Sequence, residues 1–346
     1  MAAINDIVIS ITRATASLTR QNFRPLVLGS SGSAIDYIIA TELADLVSAG
    51  YATDSPEYLM VSAMFAQSPR PEDVMVARKA TGTDYDDYLD TLVASYSEKF
   101  RTVLIDSRGK DKLWQVGTWA NSNKKFFFGC ASGTDALTDR NVDREAYLIH
   151  SSPTAYPEAA WVGQNVGKTP GSFTWKWKRL SGQVASTFTS TQLNTIRTGS
   201  GGHDKGQALQ EQAGATYVNE GQTTSGEYID VIDSQDWIEN ELTVELLSLF
   251  VNTEKVGLDD AGIGQVEGVV RAVLQRAGDN GIIARVGSKA DAAYSDDGQY
   301  MFVLTVPKRA DISTADKAAR ILPDVNFTLY LQGAVHRVEV NGKITV

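Results

Sequence analysis

The chain is poor in the residues that metal and redox chemistry draw on. Among its 346 residues there is one cysteine, Cys130, and there are three histidines, His150, His203 and His336. A single cysteine excludes an internal disulfide and fits synthesis in a reducing cytoplasm. So small a stock of soft ligands leaves little for a transition-metal site, and neither a metal nor another cofactor is expected. No run of about 18 apolar residues occurs, so no membrane-spanning helix is expected. Asp6 lies near the start with no basic region ahead of an apolar stretch, so no signal peptide is expected. Positive charge is in the minority, with 32 Lys and Arg against 42 Asp and Glu and a net charge of −10. That balance argues against nucleic acid as the main partner. The acids are spread, with no acidic tail, and read as solubility and steering of subunits.

What is present is a globular chain. It is 42% hydrophobic and 21% charged, and its length suggests two or three domains with a real core. Pro25–Gly29 reads as a short buried strand. Ser33 is placed to cap a helix with Ile35, Ile38, Ile39, Leu43 and Leu46 on one face, ending at Gly50. Ser55-Pro56-Glu57 opens a second helix, stopped near Gln67 by Ser-Pro-Arg-Pro. From Val74 the pattern alternates. Strands are expected at 74–77, 103–105, 126–128 and 146–149. Helices are expected between them, at Tyr85 to Phe100, Leu113 to Ala120 and Asp135 to Arg140. Strand–helix alternation of this kind is the mark of a mostly parallel sheet with covered faces, in a mixed α/β (α+β) chain.

Residues 151–232 are rich in Gly, Ser, Thr and Gln and read as irregular outer β pieces, with Thr174–Lys178 as an alternating strand. Two strong helices follow. One is capped at Asp233 or Ser234 and carries Trp237, Ile238, Leu242, Leu246, Leu249 and Phe250. The other is capped at Asp259 or Asp260 and carries Ile263, Val266, Val270, Val273 and Leu274. A strand at 300–306 and a short helix near 313–320 lead into the last stretch.

That last stretch carries most of the information. Val325, Phe327, Leu329 and Leu331 alternate as a strand buried in its own domain would. The phase then slips at Gly333, as a bulge or bend leaves it. Asn341-Gly342 offers a hairpin turn, but that register pairs Val340 with Lys343 and Val338 with Thr345. Read as one continuous strand, Val338, Val340, Ile344 and Val346 share one face, and the phase favours this reading. Ile7, Ile9 and Ile11 alternate in the same way at the other end. The two ends are therefore sticky β arms, able to pair with each other or with neighbouring subunits.

The motifs that suggest catalysis or nucleotide binding are incomplete. Gly163–Thr169 is one residue short of a phosphate loop and runs into Pro170-Gly171 where a helix should begin. Gly29-Ser-Ser-Gly-Ser33 is not G-x-G-x-x-G. His150-Ser151-Ser152 lacks a nucleophile elbow. Asp259-Asp260 lacks the spacing of a calcium loop, and the acids of 84–90 suit the first turn of a helix. No catalytic residue is assigned. An α/β enzyme or nucleotide-binding protein using the crevice of the sheet stands as the alternative reading.

A series of short segments, from 6–12 and Phe65–Pro71 through Tyr156–Trp161 to Leu331–Val338, runs nearly the whole length of the chain and resembles contractile tail sheath proteins of bacteriophages, in particular a compact sheath-like family first described as of unknown function. The resemblance rests on short segments in order. They are 6–12, Phe65-Ala-Gln-Ser-Pro-Arg-Pro71 with 74–78, Tyr156-Pro-Glu-Ala-Ala-Trp161, 170–178 with Leu180-Ser-Gly182, 226–230, 255–263 and Leu331-Gln-Gly-Ala-Val-His-Arg-Val338. Val256-Gly-Leu-Asp-Asp260 departs from the family's usual Ile-Pro-Tyr-Thr-Asp. The resemblance implies a virion protein assembled in the host cytoplasm, stacked as hexameric rings around a tail tube and meeting baseplate and terminator proteins. It implies no direct contact with nucleic acid and no membrane insertion. Injection-machine and bacteriocin sheaths share the same physics. On this reading residues 1–22 and 333–346 are arms traded between neighbours, 23–80 and 233–332 form an inner domain, and 81–232 form a central and outer α/β region. Lys308, Arg309, Lys317 and Arg320 form a basic patch suited to an acidic tube.

Overall fold

The structure is a computed structural model and describes residues 24–96, 99–340 and 342. Its centre is an eight-stranded sheet ordered β2-β3-β1-β4-β5-β6-β7-β8. The strands are β1 (Pro25–Gly29), β2 (Ile35–Ala40), β3 (Val74–Arg78), β4 (Thr102–Ile105), β5 (Phe126–Ala131), β6 (Glu145–Ile149), β7 (Gln207–Gln212) and β8 (Ala215–Val218). Pairing is parallel from β3 through β7, and the edge strands β2 and β8 run antiparallel. Alternate residues of the strands enter two separate cores. Val27, Val76, Leu104, Phe128 and Leu148 face one side, and Leu26, Ala77, Val103, Phe127 and Ile149 face the other. Both faces are covered by helices, so the central strands β1, β3, β4 and β5 are buried throughout and mostly apolar rather than alternating with polar residues.

The first face carries α1 (Leu43–Ser48), α2 (Pro56–Phe65) and α5 (Pro157–Asn165); the second carries α3 (Tyr85–Tyr96), α4 (Lys110–Ser122) and α6 (Ser190–Thr198). Local chemistry starts these helices. Ser55 accepts from the Tyr58 N–H with Pro56 in the first turn, and Thr189 and Gln192 form a reciprocal capping box. On the first face Phe128, Trp161 and Trp175 form an aromatic cluster with centroids 4.8–5.4 Å apart. The Trp161 indole donates to the Trp175 carbonyl, which settles its polar atom inside the core.

Several expectations need correction. The helix expected from Ile35 is strand β2, and only Leu43–Ser48 is helical. The 3.6-residue spacing of the isoleucines is real, but β-branched and aromatic residues fit the open edge of β3, which β2 fills with a register shift between Ile35 and Ile38. Asp135 to Arg140 gives only a short 3₁₀ turn, Thr134–Ala136. Thr174–Lys178 is not a strand. Trp177 has φ of 65°, which breaks the extended run, although its N–H still donates to the Val218 carbonyl. Strands β1, β2 and β3 hydrogen-bond into the same sheet as β4 to β8.

The C-terminal part is a smaller unit with its own core. It holds α7 (Ile229–Asn252), α8 (Asp260–Asp279), β9 (Phe302–Thr305), α9 (Thr314–Ala319) and β10 (Asn326–Leu329). Asp259 caps α8 by accepting from the Gly262 N–H, and Ser313 caps α9. Helix α7 spans about 36 Å at 1.5 Å per residue. Its first turns place Ile229 and Ile232 in the core of the sheet, and its later turns pack Ile238, Leu242 and Leu246 against Val266, Val270 and Leu274 of α8. It starts ahead of the expected cap. Asp233 lies inside the helix and is buried, because Arg101 needs it: the guanidinium contacts Asp233 at 2.7 Å and Asp236 at 2.7 Å. Arg144 adds a second guanidinium to Asp236 at 2.6 Å, and the Trp175 indole donates to Asp233 at 2.7 Å. Burial pushes Asp233 above the usual carboxylate range, with Arg101 offsetting this only in part. Burial pulls the same way on Asp236, but Arg144 and Arg101 outweigh it and hold that carboxyl low.

Two consequences are testable. Asp236→Asn leaves two guanidiniums short of a buried partner and should lower the unfolding free energy by about 3–5 kcal/mol in urea titrations at neutral pH. Because the folded pKa of Asp236 is depressed, its contribution is complete above the unfolded value of about 3.9 and is lost as the pH falls through the folded value. The gap between wild type and variant should therefore close in acid. Gly163 lies in α5 against α2, where an added Cβ would sit 2.6 Å from Met64 Cα. Gly163→Ala should cost about 1–3 kcal/mol, as overpacking against backbone does, read from the same titrations.

Candidate functional site

The C-terminal unit ends in a sheet that is left unfinished. Strands β9 and β10 pair antiparallel, with Phe327 opposite Leu304 and Leu329 opposite Phe302. Residues 282–286 close one end: the Ala284 N–H donates to the Tyr330 carbonyl, and the Met301 N–H donates to the Ala284 carbonyl. Among the described residues no further strand joins β9 or β10. Phe302 is fully buried, while Phe327, Tyr330 and Leu331 are each more than a third exposed. The stretch expected to be buried in its own domain therefore forms its strand, but the strand lies open. A strand with a free edge and exposed aromatics is a template for another strand.

The chain then turns at Gly333, with φ of 62°, where the phase slip predicted a bend. Residues 334–340 form no strand. Val335, Val338 and Val340 are 72–86% exposed. The apolar face anticipated for the C-terminal arm is thus uncovered in the single chain, since an extended segment orders only against a partner edge. Ile344 and Val346, and Ile7, Ile9 and Ile11 of the N-terminal arm, lie outside the described residues.

Within 333–340 only His336 is not exposed. Its Nδ1 lies 2.9 Å from Glu220 Oε1 and its Nε2 lies 3.0 Å from Thr174 Oγ1. Its ring meets Tyr228 edge-on at 4.6 Å. Glu220 also accepts from Lys176 Nζ at 2.9 Å. Burial raises the Glu220 carboxyl, but the His336 and Lys176 contacts prevail and keep it low, hence ionised. Nothing in the sequence pattern singled out His336, because one imidazole in an alternating run carries no periodic signal.

The basic residues gather only in part. Arg309, Lys317 and Arg320 line a concavity of about 970 Å³ between the end of α7, the start of α8 and α9, together with Lys255. Phe250, Val256, Leu258 and Leu322 supply its apolar wall. Lys308 is exposed beside it but is not part of the lining. Sequence reading missed Lys255 and Phe250, which are more than 50 residues away in the chain and join the patch only through the α7–α8 turn.

The crevice where an α/β enzyme would bind its ligand lies between β1 and β4, where the strand order reverses. It is occupied by paired side chains. The Ser30 N–H and hydroxyl both donate to Asp106 Oδ2, and the Tyr85 hydroxyl donates to Oδ1. Arg78 binds Glu57 through two nitrogens, and Arg108 binds Glu158. Gly29–Ser33 leads into strand β2 and not into a helix, so this loop does not present a helix N-terminus to a phosphate. Gly163–Thr169 lies on the end of α5 rather than at a helix start. The His150 Nδ1 accepts from the Ser152 N–H, and its Nε2 faces the Val184 carbonyl at 3.0 Å, a structural role at the end of β6. Cys130 is buried, and burial pushes its thiol well up, with the Glu158 carboxylate adding to the effect. Asp84, Asp86 and Asp87 cluster at the start of α3, with Asp84 and Asp87 exposed and Asp86 half-buried; Lys112 pairs with Asp84, and Gln115 donates to Asp86.

Comparison with known proteins places this architecture. Residues 229–344 match the family described as E217 tail sheath protein gp31-like, C-terminal domain. No curated protein matches the chain by sequence. The whole fold is similar to a chain of the anti-feeding prophage baseplate, with a TM-score of 0.68, 11% identity and 100% of both chains covered. It is similar to a chain of the PVC sheath complex of an extracellular contractile injection system in its contracted state, with a TM-score of 0.68, 12% identity, and 99% and 98% of the two chains covered. The sheath tail protein Lin1278 from Listeria innocua matches with a TM-score of 0.52 and 10% identity over 92% and 96%. At these identities the likeness is one of fold. The chain has the fold of these contractile sheath proteins along its length, and its residues 229–344 are similar to the gp31-like tail sheath C-terminal domain.

Proposed function

We propose that the chain is the repeating subunit of a contractile sheath in an extracellular particle, a phage tail or a related injection machine. It stacks as hexameric rings around a tube, and its two ends are traded between neighbouring copies. The observation that carries this reading is the pairing of an unfinished β9–β10 sheet with an uncovered apolar arm in the same chain. An arm of ten residues reaches about 33 Å as a strand, against a radius of gyration near 20 Å for a compact chain of this length. It can therefore cross a neighbour's contact face. Ordering its backbone costs about 10–20 kcal/mol. Burying four or five Val and Ile side chains contributes about 6–15 kcal/mol, and ladder hydrogen bonds contribute about 4–12 kcal/mol. One arm is close to balance alone, and many arms in a lattice give avidity.

The other roles follow from position. The central three-layer body slides as a rigid unit during contraction, and the arms tether it to neighbours. The concavity of Lys255, Arg309, Lys317 and Arg320, with Lys308 at its margin, faces the tube and favours an acidic tube surface. Baseplate and terminator proteins cover the first and last rings, where arms have no sheath neighbour. Contraction draws on interfaces that form in the short state, so nucleotide is not needed as fuel.

Purified protein should form hollow tubes visible by electron microscopy, and deletion of residues 333–346 should leave folded subunits that do not polymerise. Monomers from the intact chain under all assembly conditions would contradict the reading. Extended tails, warmed without ATP, should shorten irreversibly; free interconversion of the two lengths would rule out stored interface energy.

A further inference from the structure

The C-terminal arm changes allegiance partway along. Up to residue 332 the chain belongs to the small sheet, with the Gln332 N–H donating to the Ile282 carbonyl. Four residues later His336 is held by Thr174, Glu220 and Tyr228, all of which belong to the central body. Between these two points the chain passes a crevice of about 400 Å³. It is lined by Phe173, Thr174 and Lys178 from the body and by Gly281 and Ile282 from the C-terminal unit.

We propose that His336 is a latch that fastens the root of the C-terminal arm to the central body, so that the arm leaves from that body and not from the sheet it follows in sequence. The chemistry of the clasp is specific. The Glu220 carboxylate lies against the imidazole at Nδ1, at ion-pair distance rather than in hydrogen-bond alignment, and the Thr174 hydroxyl hydrogen-bonds the ring at Nε2. The side chains of His336 and Glu220 are 13% and 9% exposed. Lys176 on Glu220 neutralises the carboxylate from the far side, and Asp230 of α7 also faces the imidazole. No other residue of 333–340 is held in this way. Arg337 pairs only with Glu339 in the same exposed segment, at side-chain exposures of 82% and 67%.

A consequence follows for movement. The arm's root therefore travels with its own subunit as one piece, the residues beyond His336 are left to follow a neighbour, and Gly333 is the bend by which the chain leaves the small sheet. This inference rests on the sheath reading for the purpose of the arm, but the latch itself is a property of the isolated subunit.

Arg337, next to the latch, provides a native readout. A protease needs several residues on each side of the scissile bond to be free, so a clasped His336 protects the Arg337–Val338 bond from trypsin. In unassembled subunits His336→Ala should speed cleavage after Arg337 on the order of tenfold or more, the loss expected for a charge-assisted contact. The exposed Lys308–Arg309 site and the thermal unfolding midpoint should be unchanged. His336→Gln, which keeps one donor, should fall between the two. Equal cleavage after Arg337 in wild type and His336→Ala would overturn the latch, as would a variant whose Lys308–Arg309 site is cut faster to the same degree. Failure of the sheath reading would show instead as absence of tubes, with the trypsin result untouched.

Discussion

One buried charge cluster sets the relation between the two halves of this molecule. Arg101 enters β4 with its guanidinium between Asp233 and Asp236, and Arg144 completes Asp236 from the next loop. Both carboxylates lie on α7, so the cluster fixes the rotation of the helix as well as its position. That rotation turns Ile229 and Ile232 to the sheet and Ile238, Leu242 and Leu246 to α8. One rod thus serves two cores, and neither core can slip without stranding a buried charge. The body is built to move as a piece.

The periphery has the opposite character. Among the described residues the β9–β10 sheet stops at two strands, and Val335, Val338 and Val340 are exposed. Backbone and apolar groups left open at an edge are a liability in a monomer and a means of assembly in a polymer. A stiff core with unfinished edges suits the proposed sheath, in which rigid bodies would carry stress and segments ordered between copies would keep connectivity.

How much of this was legible in the sequence depends on where the competing forces lay. Strands β1, β3, β4, β5 and β6 and helices α2, α3, α4 and α8 follow from caps, breakers and apolar spacing, which act locally. Helix α5 was missed because eight of its nine residues are buried, leaving no polar face to set a period. Strands β7 and β8 were missed because Gln207, Gln210 and Gln212 look like surface loop, although Gln207 is fully buried and donates to the Tyr147 carbonyl. Strand β2 reads as a helix because its isoleucines fall at helical spacing, and only the open edge of β3, met with a register shift between Ile35 and Ile38, makes it a strand. Asp233 reads as a helix cap until Arg101, 132 residues away, claims it. For the candidate site, the apolar face of the arm and the bend at Gly333 were visible as pattern. The clasp on His336 was not, because its partners come from three distant segments.

The central claim is that the sheet left open in one copy is completed by an arm from another. A helical reconstruction of the assembled tube at a resolution that traces backbone tests it most directly. The account predicts that the residues after His336 run as a strand hydrogen-bonded to the β9–β10 sheet of a neighbouring subunit, with Val338 and Val340 covered. A map in which this segment folds back onto its own subunit, leaving every β9–β10 sheet unextended, would contradict it.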